Sequence, residues 1–166
     1  AVIRCQLAFM CGKELNWLKG ELSTLKLALK KIDYIIGTPQ MEILTKAVMI
    51  LMEEPSSLST AIMDPYDRVT GAEYDYHEQS SFNYHKLVLQ YLFEEYEGAR
   101  ETVLDMINLK KTFKDPIIHP QADFYISLTH LADYGQVPEA EREKILTQVH
   151  NNQDTLEKLA RSAPSN

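Results

Sequence analysis

Cysteine, glycine, proline and tryptophan are scarce in this chain of 166 residues, which contains two, six, seven and one of them respectively. Two cysteines cannot build a disulfide framework, and so little glycine and proline excludes collagen-like or low-complexity sequence. Cys5 and Cys11 would point about 120° apart on one helix, so we expect both to be reduced packing residues of a cytoplasmic protein. No apolar run approaches the roughly 18 residues that cross a bilayer, so we predict no membrane insertion.

Basic side chains are outnumbered by acidic ones, 17 to 24, which gives a formal net charge of −7. The excess lies in residues 61–166, which carry ten basic and eighteen acidic groups, whereas residues 1–60 carry seven and six. A surface of this sign repels phosphate backbones and anionic lipid. Nucleic acid is therefore not a predicted partner.

Leucine and isoleucine recur at alternating spacings of three and four from Leu15 to Ile36, which is the period of an amphipathic helix. We predict a helix at Lys13–Ile36, followed after Gly37 by Pro39–Glu53, which is apolar on nearly every side and is expected to be the most buried element. Four further helices are predicted from the same criteria, at residues 81–96, 97–112, 120–134 and 139–161.

No segment alternates with the period of a strand, so the predicted fold class is all-α. Paired helices of similar length with short connections indicate stacked antiparallel helix hairpins, as in an α–α superhelix. The predicted organisation is one helical-repeat fragment: first helices over 1–56, an acidic connection over 57–80 and hairpins over 81–166. Because the opening residues already form an apolar, helix-like run, we expect the chain to continue upstream of Ala1.

Residues 92–99, LFEEYEGA, resemble the turn between the two helices of a tetratricopeptide repeat. Tyr96 and Ala99 stand at the aromatic and small positions of that turn, and Glu94 stands where the family has glycine. In the family, the small residue lets the second helix approach the first closely. The resemblance implies that helices 81–96 and 97–112 form a tetratricopeptide-like hairpin.

A longer resemblance covers about Met41 to Asn166. The segments HPQADFYISLT at 119–129 and NQDTLEKLARSAPSN at 152–166 are similar, in this order, to the helical-repeat region of very large multidomain signalling kinases. Those proteins join a serine/threonine-kinase-like domain, an AAA/NB-ARC-type ATPase, the helical repeats, a GAF domain and a histidine kinase. The resemblance implies a connector fragment that carries none of the catalytic domains.

Two histidines and two aspartates lie on one side of the helix predicted at 120–134, if that helix is extended by one residue at its start. They are His119, Asp123, His130 and Asp133. His119 and His130 would lie about 16 Å apart along the helix axis, so they cannot bind one metal ion, whose ligands lie about 2 Å away. We therefore predict that this side is a solvated face. The opposite side is then the predicted core face and consists of Phe124, Leu128 and Leu131.

Four potential metal ligands cluster in the acidic connection: Glu73, Asp75, His77 and Glu78. Their spacing matches no EF-hand loop, and a solvated acidic loop is the favoured interpretation. The sequence also contains no glycine-rich phosphate loop, nucleophile elbow, H-E-x-x-H or C-x-x-C motif. We accordingly predict no catalytic residue, no cofactor and no metal site, and this fragment is not expected to be an enzyme.

Asn152 interrupts the apolar stripe of the last predicted helix, either as a satisfied internal amide or as a group that binds the backbone of a peptide partner. Tyr84, Tyr91 and Tyr96 are candidate partner contacts, although aromatic side chains at such positions are more often core residues. The favoured hypothesis is a non-catalytic scaffold for protein–protein interaction, whose partners are other domains of the same polypeptide or a separate protein.

Two alternatives stay open at this stage, and so does the oligomeric state. The stripe from Leu15 to Ile36 equals three heptads and would suit a coiled-coil assembly element. A helical sensor domain that binds a small molecule or a metal is the other alternative.

Overall fold

The chain is mainly helical in the part that a computed structural model describes, which is residues 1–31, 38–53, 76–113, 115–132 and 134–162. No strand occurs within these ranges, so the all-α prediction is confirmed. Besides a short 3₁₀ helix at Tyr134–Gln136, the described elements are α1 (Val2–Met10), α2 (Leu15–Lys31), α3 (Thr38–Glu53), α4 (Tyr76–Leu92), α5 (Tyr96–Thr112), α6 (Ile118–Ala132) and α7 (Glu139–Ser162).

The chain divides into two compact units, residues 1–85 and 86–166, so the boundary falls inside α4. In the first unit, α1 packs against α2 and α2 packs against α3. The apolar stripe of α2 lies inside this unit, because Leu18 and Leu22 are buried and three other leucines pack against the same core. The core of the unit consists of Cys5, Leu18, Leu22, Met41, Leu44 and Val48. Ile32 and Ile36, which complete the predicted stripe, lie outside the described residues.

The acidic connection predicted at 57–80 ends earlier than expected, because α4 begins at Tyr76 and residues 76–80 are helical. The sequence hides this start because α4 buries polar side chains as well as apolar ones, so it shows no amphipathic period at its beginning. Its buried polar residues are Ser80, Ser81, Asn83, His85 and Gln90. Residues 54–75 lie outside the described part of the chain.

In the turn between α4 and α5, two backbone hydrogen bonds end α4. The backbone N–H of Glu94 donates to the carbonyl oxygen of Tyr91 (3.2 Å), and the N–H of Glu95 donates to that of Gln90 (2.8 Å). This pair of hydrogen bonds is a Schellman motif, which places the first of its two donor residues in the left-handed region. Glu94 has φ 62° accordingly, although a glycine is normally found there. Gly12, with φ 67°, ends α1 through the equivalent bonds.

The first turn of α5 contains two small residues, Gly98 and Ala99, and Gly98 lies against the Gln90 side chain of α4. Ala99 is fully buried, and a Cβ atom added to Gly98 would lie 2.6 Å from Nε2 of Gln90. The Gln90 side chain is held there, because the Thr102 hydroxyl donates to its Oε1 atom over 2.8 Å. Beyond this contact, α6 packs against both α5 and α7. The helices are thus packed in pairs, as predicted.

Candidate functional site

The orientation of α6 is opposite to the one predicted from its sequence. His119 and Asp123, which were expected on a solvated face, are only 5% and 3% exposed. Phe124 and Leu131, which were expected in the core, are 46% and 42% exposed. The prediction for α6 was therefore wrong on both sides of the helix. The residues that α6 buries are Ile118, His119, Ala122, Asp123, Ile126, Ser127 and Thr129.

Neighbouring helices explain why polar residues of α6 face inward. The Lys110 ammonium group on α5 forms an ion pair with the Asp123 carboxylate. On the α7 side, the Asn152 amide donates to the Asp123 carbonyl oxygen (3.2 Å) and to the Ser127 hydroxyl (3.0 Å), and it accepts a hydrogen bond from Gln148 (2.9 Å). Pairing of this kind offsets the free-energy cost of burying a polar or charged group. Each of these pairs requires a residue from another helix, so the sequence of α6 alone does not reveal them.

Asp115 and His119 hold the start of α6. The Asp115 carboxylate accepts hydrogen bonds from the backbone N–H groups of Ile117 and Ile118, both at 2.9 Å, which caps the helix. The N–H of Asp115 in turn donates to Nδ1 of His119 (3.1 Å). Because Nδ1 accepts here, the proton of the neutral ring lies on Nε2.

The pKa of His119 is lowered from its usual range, chiefly because the ring is buried and secondly because Lys110 is nearby; Asp115 and Asp123 partly oppose this. A neutral His119 is also what the hydrogen bond from the Asp115 N–H requires, since a protonated Nδ1 could not accept it. His119 is therefore a structural group and not a solvated acid or base. His130 is half-buried, and burial lowers its pKa as well; Asp133 lies outside the described residues.

A row of four aromatic rings runs from α5 across α4 to α6. The ring centroids of Tyr96 and Tyr91 are 6.0 Å apart, those of Tyr91 and Tyr125 are 5.9 Å apart, and those of Tyr125 and Phe124 are 5.3 Å apart. All three tyrosines are partly exposed, and burial together with Tyr91 raises the pKa of Tyr125. These rings continue into the exposed side of α6. We call the combined surface the interaction face; its residues are Tyr91, Tyr96, Phe124, Tyr125, Leu128 and Leu131.

The four candidate partner contacts differ in their accessibility. Tyr91 and Tyr96 lie in the interaction face, and their contact with a partner stays a prediction. Tyr84 is 1% exposed and contacts the ring of His85 at 5.0 Å between centroids, so it is a core residue in this structure. Asn152 is 3% exposed and fully engaged with neighbouring groups, which agrees with the first of its two interpretations, a satisfied internal amide. Sequence reasoning missed Phe124 and Leu131, because their apolar character assigned them to the core.

The remaining candidate residues do not form a site in the described part of the chain. His77 is exposed and Glu78 is partly exposed, while Glu73 and Asp75 lie outside the described residues. Among the residues that the structure describes, no group of three or more His, Cys, Asp or Glu side chains is arranged to hold a metal ion. Both cysteines are free; Cys5 is buried as predicted, but Cys11 is exposed and is not a packing residue.

Comparison with known proteins identified no relative of this chain. No protein-family model, no curated protein and no solved structure matches this chain. Within the described ranges, no helix is both long enough and apolar enough to span a bilayer. The interaction face is therefore the main feature on which a functional conclusion can be based.

Proposed function

We propose that this chain is a non-catalytic helical scaffold that binds a protein through the interaction face. The observation that carries the proposal is the reversed α6, which directs Phe124 and Leu131 outward while it buries an aspartate and a histidine. Soluble proteins rarely expose contiguous apolar residues unless another surface covers them. Tyrosine and phenylalanine are also among the residues that contribute most to protein–protein binding.

The resemblance to the helical-repeat region of multidomain signalling kinases supports a particular context. In that context the chain is a connector, its helix pairs stack in a tetratricopeptide-like superhelix, and its partner is a neighbouring domain of the same polypeptide or a separate protein. The mechanism is steric, because α6 is fixed on both sides by the Lys110–Asp123 and Asn152–Ser127 contacts and so presents its outer side in one orientation.

The coiled-coil alternative depended on an exposed leucine stripe on α2, and the described part of that stripe is covered by other helices. The described leucines of the α2 stripe pack inside the first unit against α1 and α3. An assembly element would therefore need a surface other than the stripe that begins at Leu15.

Site-specific photo-crosslinking tests the proposed function directly. A photoreactive phenylalanine analogue is placed at position 124, in the interaction face, or at position 104, where Leu104 on α5 is 62% exposed and lies outside that face. The two proteins are irradiated in cells of the source organism, and crosslinked peptides are identified by mass spectrometry. We expect one defined crosslinked protein or intramolecular product from position 124 and none from position 104.

A second substitution tests whether the crosslink depends on the interaction face. Leu131→Asp adds a charge to the interaction face about two α6 turns from position 124, so it should abolish the product while leaving the helical circular dichroism unchanged. Identical products from positions 124 and 104, or a product that survives Leu131→Asp, would argue against the proposed function.

A further inference from the structure

The charge around the interaction face is uneven. The outer side of α6 is neutral, since Gln121, Phe124, Leu128 and Leu131 carry no charge. At the other end of the face, Tyr96 is adjacent in sequence to Glu95 and Glu97 and follows Glu94 in the turn. Residues 94–100 contain these three carboxylates and one guanidinium group, Arg100, so the segment that includes Tyr96 has a net charge of −2.

Two of these carboxylates are available to a partner. Glu94 and Glu97 are both exposed, whereas Glu95 is partly buried, and Glu95 and Arg100 already take part in interactions within the structure. A partner that approaches the aromatic row therefore meets negative charge next to Tyr96.

The shape of the apolar side favours a helix as the occupant. Phe124, Leu128 and Leu131 follow one another at i, i+4 and i+7, which produces a ridge about 10 Å long on α6. Such a ridge packs into the groove between the side-chain rows of another helix. Helices bound in this mode present apolar residues with the same spacing.

We propose that the interaction face binds a basic amphipathic helix, whose leucine or aromatic residues cover Phe124 and Tyr91 and whose lysines or arginines meet Glu94 and Glu97. This inference rests on the proposed function and adds the chemical class of the partner. Apolar contact provides most of the affinity, and the carboxylates provide selection against acidic helices and fix the direction in which the helix lies.

Two synthetic peptides serve as probes. Both are about 18 residues long, enough for five helical turns, and carry leucines at i, i+4 and i+7; one has lysine on its polar side and the other has glutamate. Binding to the whole chain is measured by fluorescence anisotropy at low and at physiological salt. We expect the lysine peptide to bind at least about tenfold more tightly, with a difference that narrows as salt rises.

Matched variants distinguish the effect of the carboxylates near the interaction face from the effect of the protein's overall negative charge. Glu94→Gln combined with Glu97→Gln should weaken binding of the lysine peptide several-fold. The control is Glu141→Gln combined with Glu143→Gln, which removes the same charge from exposed positions on α7 and should have little effect. Phe124→Asp and, independently, Leu131→Asp should weaken binding at least about tenfold, whereas Leu104→Asp on α5 should not.

The outcomes distinguish this inference from the proposed function. Equal binding of the two peptides, or equal losses in the two charge-neutralising variants, would overturn the basic helix as partner, even if the crosslink at position 124 persists. A dimer that forms without peptide and that Phe124→Asp dissociates would show that a second copy of the chain occupies the face, which also overturns the inference. Absence of the crosslink would instead remove the proposed function itself.

Discussion

Single residues with unusual backbone or burial determine how the second unit is built. Glu94 is the clearest case, because it occupies the left-handed position of a Schellman motif that glycine adopts without steric cost. Gly12 occupies the equivalent position at the end of α1 and serves as an internal reference for what the motif requires. The residue at 94 thus departs from the local preference of its own turn.

Replacement of this residue is expected to stabilise the fold. Glu94→Gly removes the contact between Cβ and the backbone in the left-handed conformation, and we expect the free energy of unfolding to rise by about 1 kcal/mol. Glu94→Ala keeps a Cβ atom and is the matched control, for which little or no gain is expected. Urea titrations followed by circular dichroism measure both values. An equal gain in the two variants would show that loss of the carboxylate, and not relief of strain, is responsible.

Asp123 and Asn152 show that a few polar side chains can determine which side of a helix is buried. Asp123 is paired with Lys110 from α5, and Asn152 reaches both the Asp123 carbonyl oxygen and Ser127 from α7. A buried charge without a partner costs several kcal/mol, so α6 is confined to orientations in which this pair is kept. From the sequence, Asn152 is interpreted as a satisfied internal amide or a peptide-binding group, and the structure agrees with the first interpretation.

At the scale of the element, α6 is the helix for which the periodicity of the sequence does not identify the buried side. Its outer side contains phenylalanine and leucine, and its inner side mixes Ile126 with alanine, serine, threonine and aspartate. Hydrophobic periodicity therefore points to the wrong side. The α2 stripe shows the opposite case, because its neighbours α1 and α3 offer apolar partners: Leu18 and Leu22 are buried, and the other described leucines of the stripe pack against the same core.

A pair of truncations in α6 checks this orientation. Ile126 is 2% exposed, so Ile126→Ala should lower the free energy of unfolding by about 2–4 kcal/mol through lost burial and the remaining cavity. Leu131 is 42% exposed, so Leu131→Ala should cost less than about 1 kcal/mol. Chemical denaturation of the two variants provides the comparison. Were Leu131→Ala the more destabilising change, α6 would face its partners as the sequence alone suggested.

At the scale of the whole molecule, three histidines respond to acid in the same direction. Burial lowers the pKa of His85 to about 4, although its Nδ1 atom donates to the Ser81 carbonyl oxygen (2.7 Å), a contact that opposes the shift. The pKa values of His119 and His130 are lowered as well, again mainly through burial. Unfolded histidine has a pKa near 6.5, so in the pH range below this value the unfolded chain binds more protons than the folded chain.

Stability is therefore expected to fall as the pH decreases from about 6.5 toward 4, and to be fully present above 6.5. His85 alone should account for a loss of about 2 kcal/mol between pH 7 and pH 5. The measurement is the free energy of unfolding in urea at both pH values. His85→Gln should remove this part of the pH dependence, whereas His150→Gln, at an exposed position on α7, should leave it in place. An unchanged dependence in His85→Gln would mean that other groups cause the acid sensitivity.

Local sequence properties were sufficient for the helical class, for most helix boundaries and for the buried side of α2, because helix period, capping residues and glycine act over a few neighbouring positions. Tertiary structure alone decided which side of α6 is exposed, and that Tyr84 is a core residue while Tyr91 and Tyr96 reach the surface. The physical reason is that burial of a polar group depends on the partner it meets. The partners of Asp123 lie 13 and 29 residues away, beyond the reach of any local pattern.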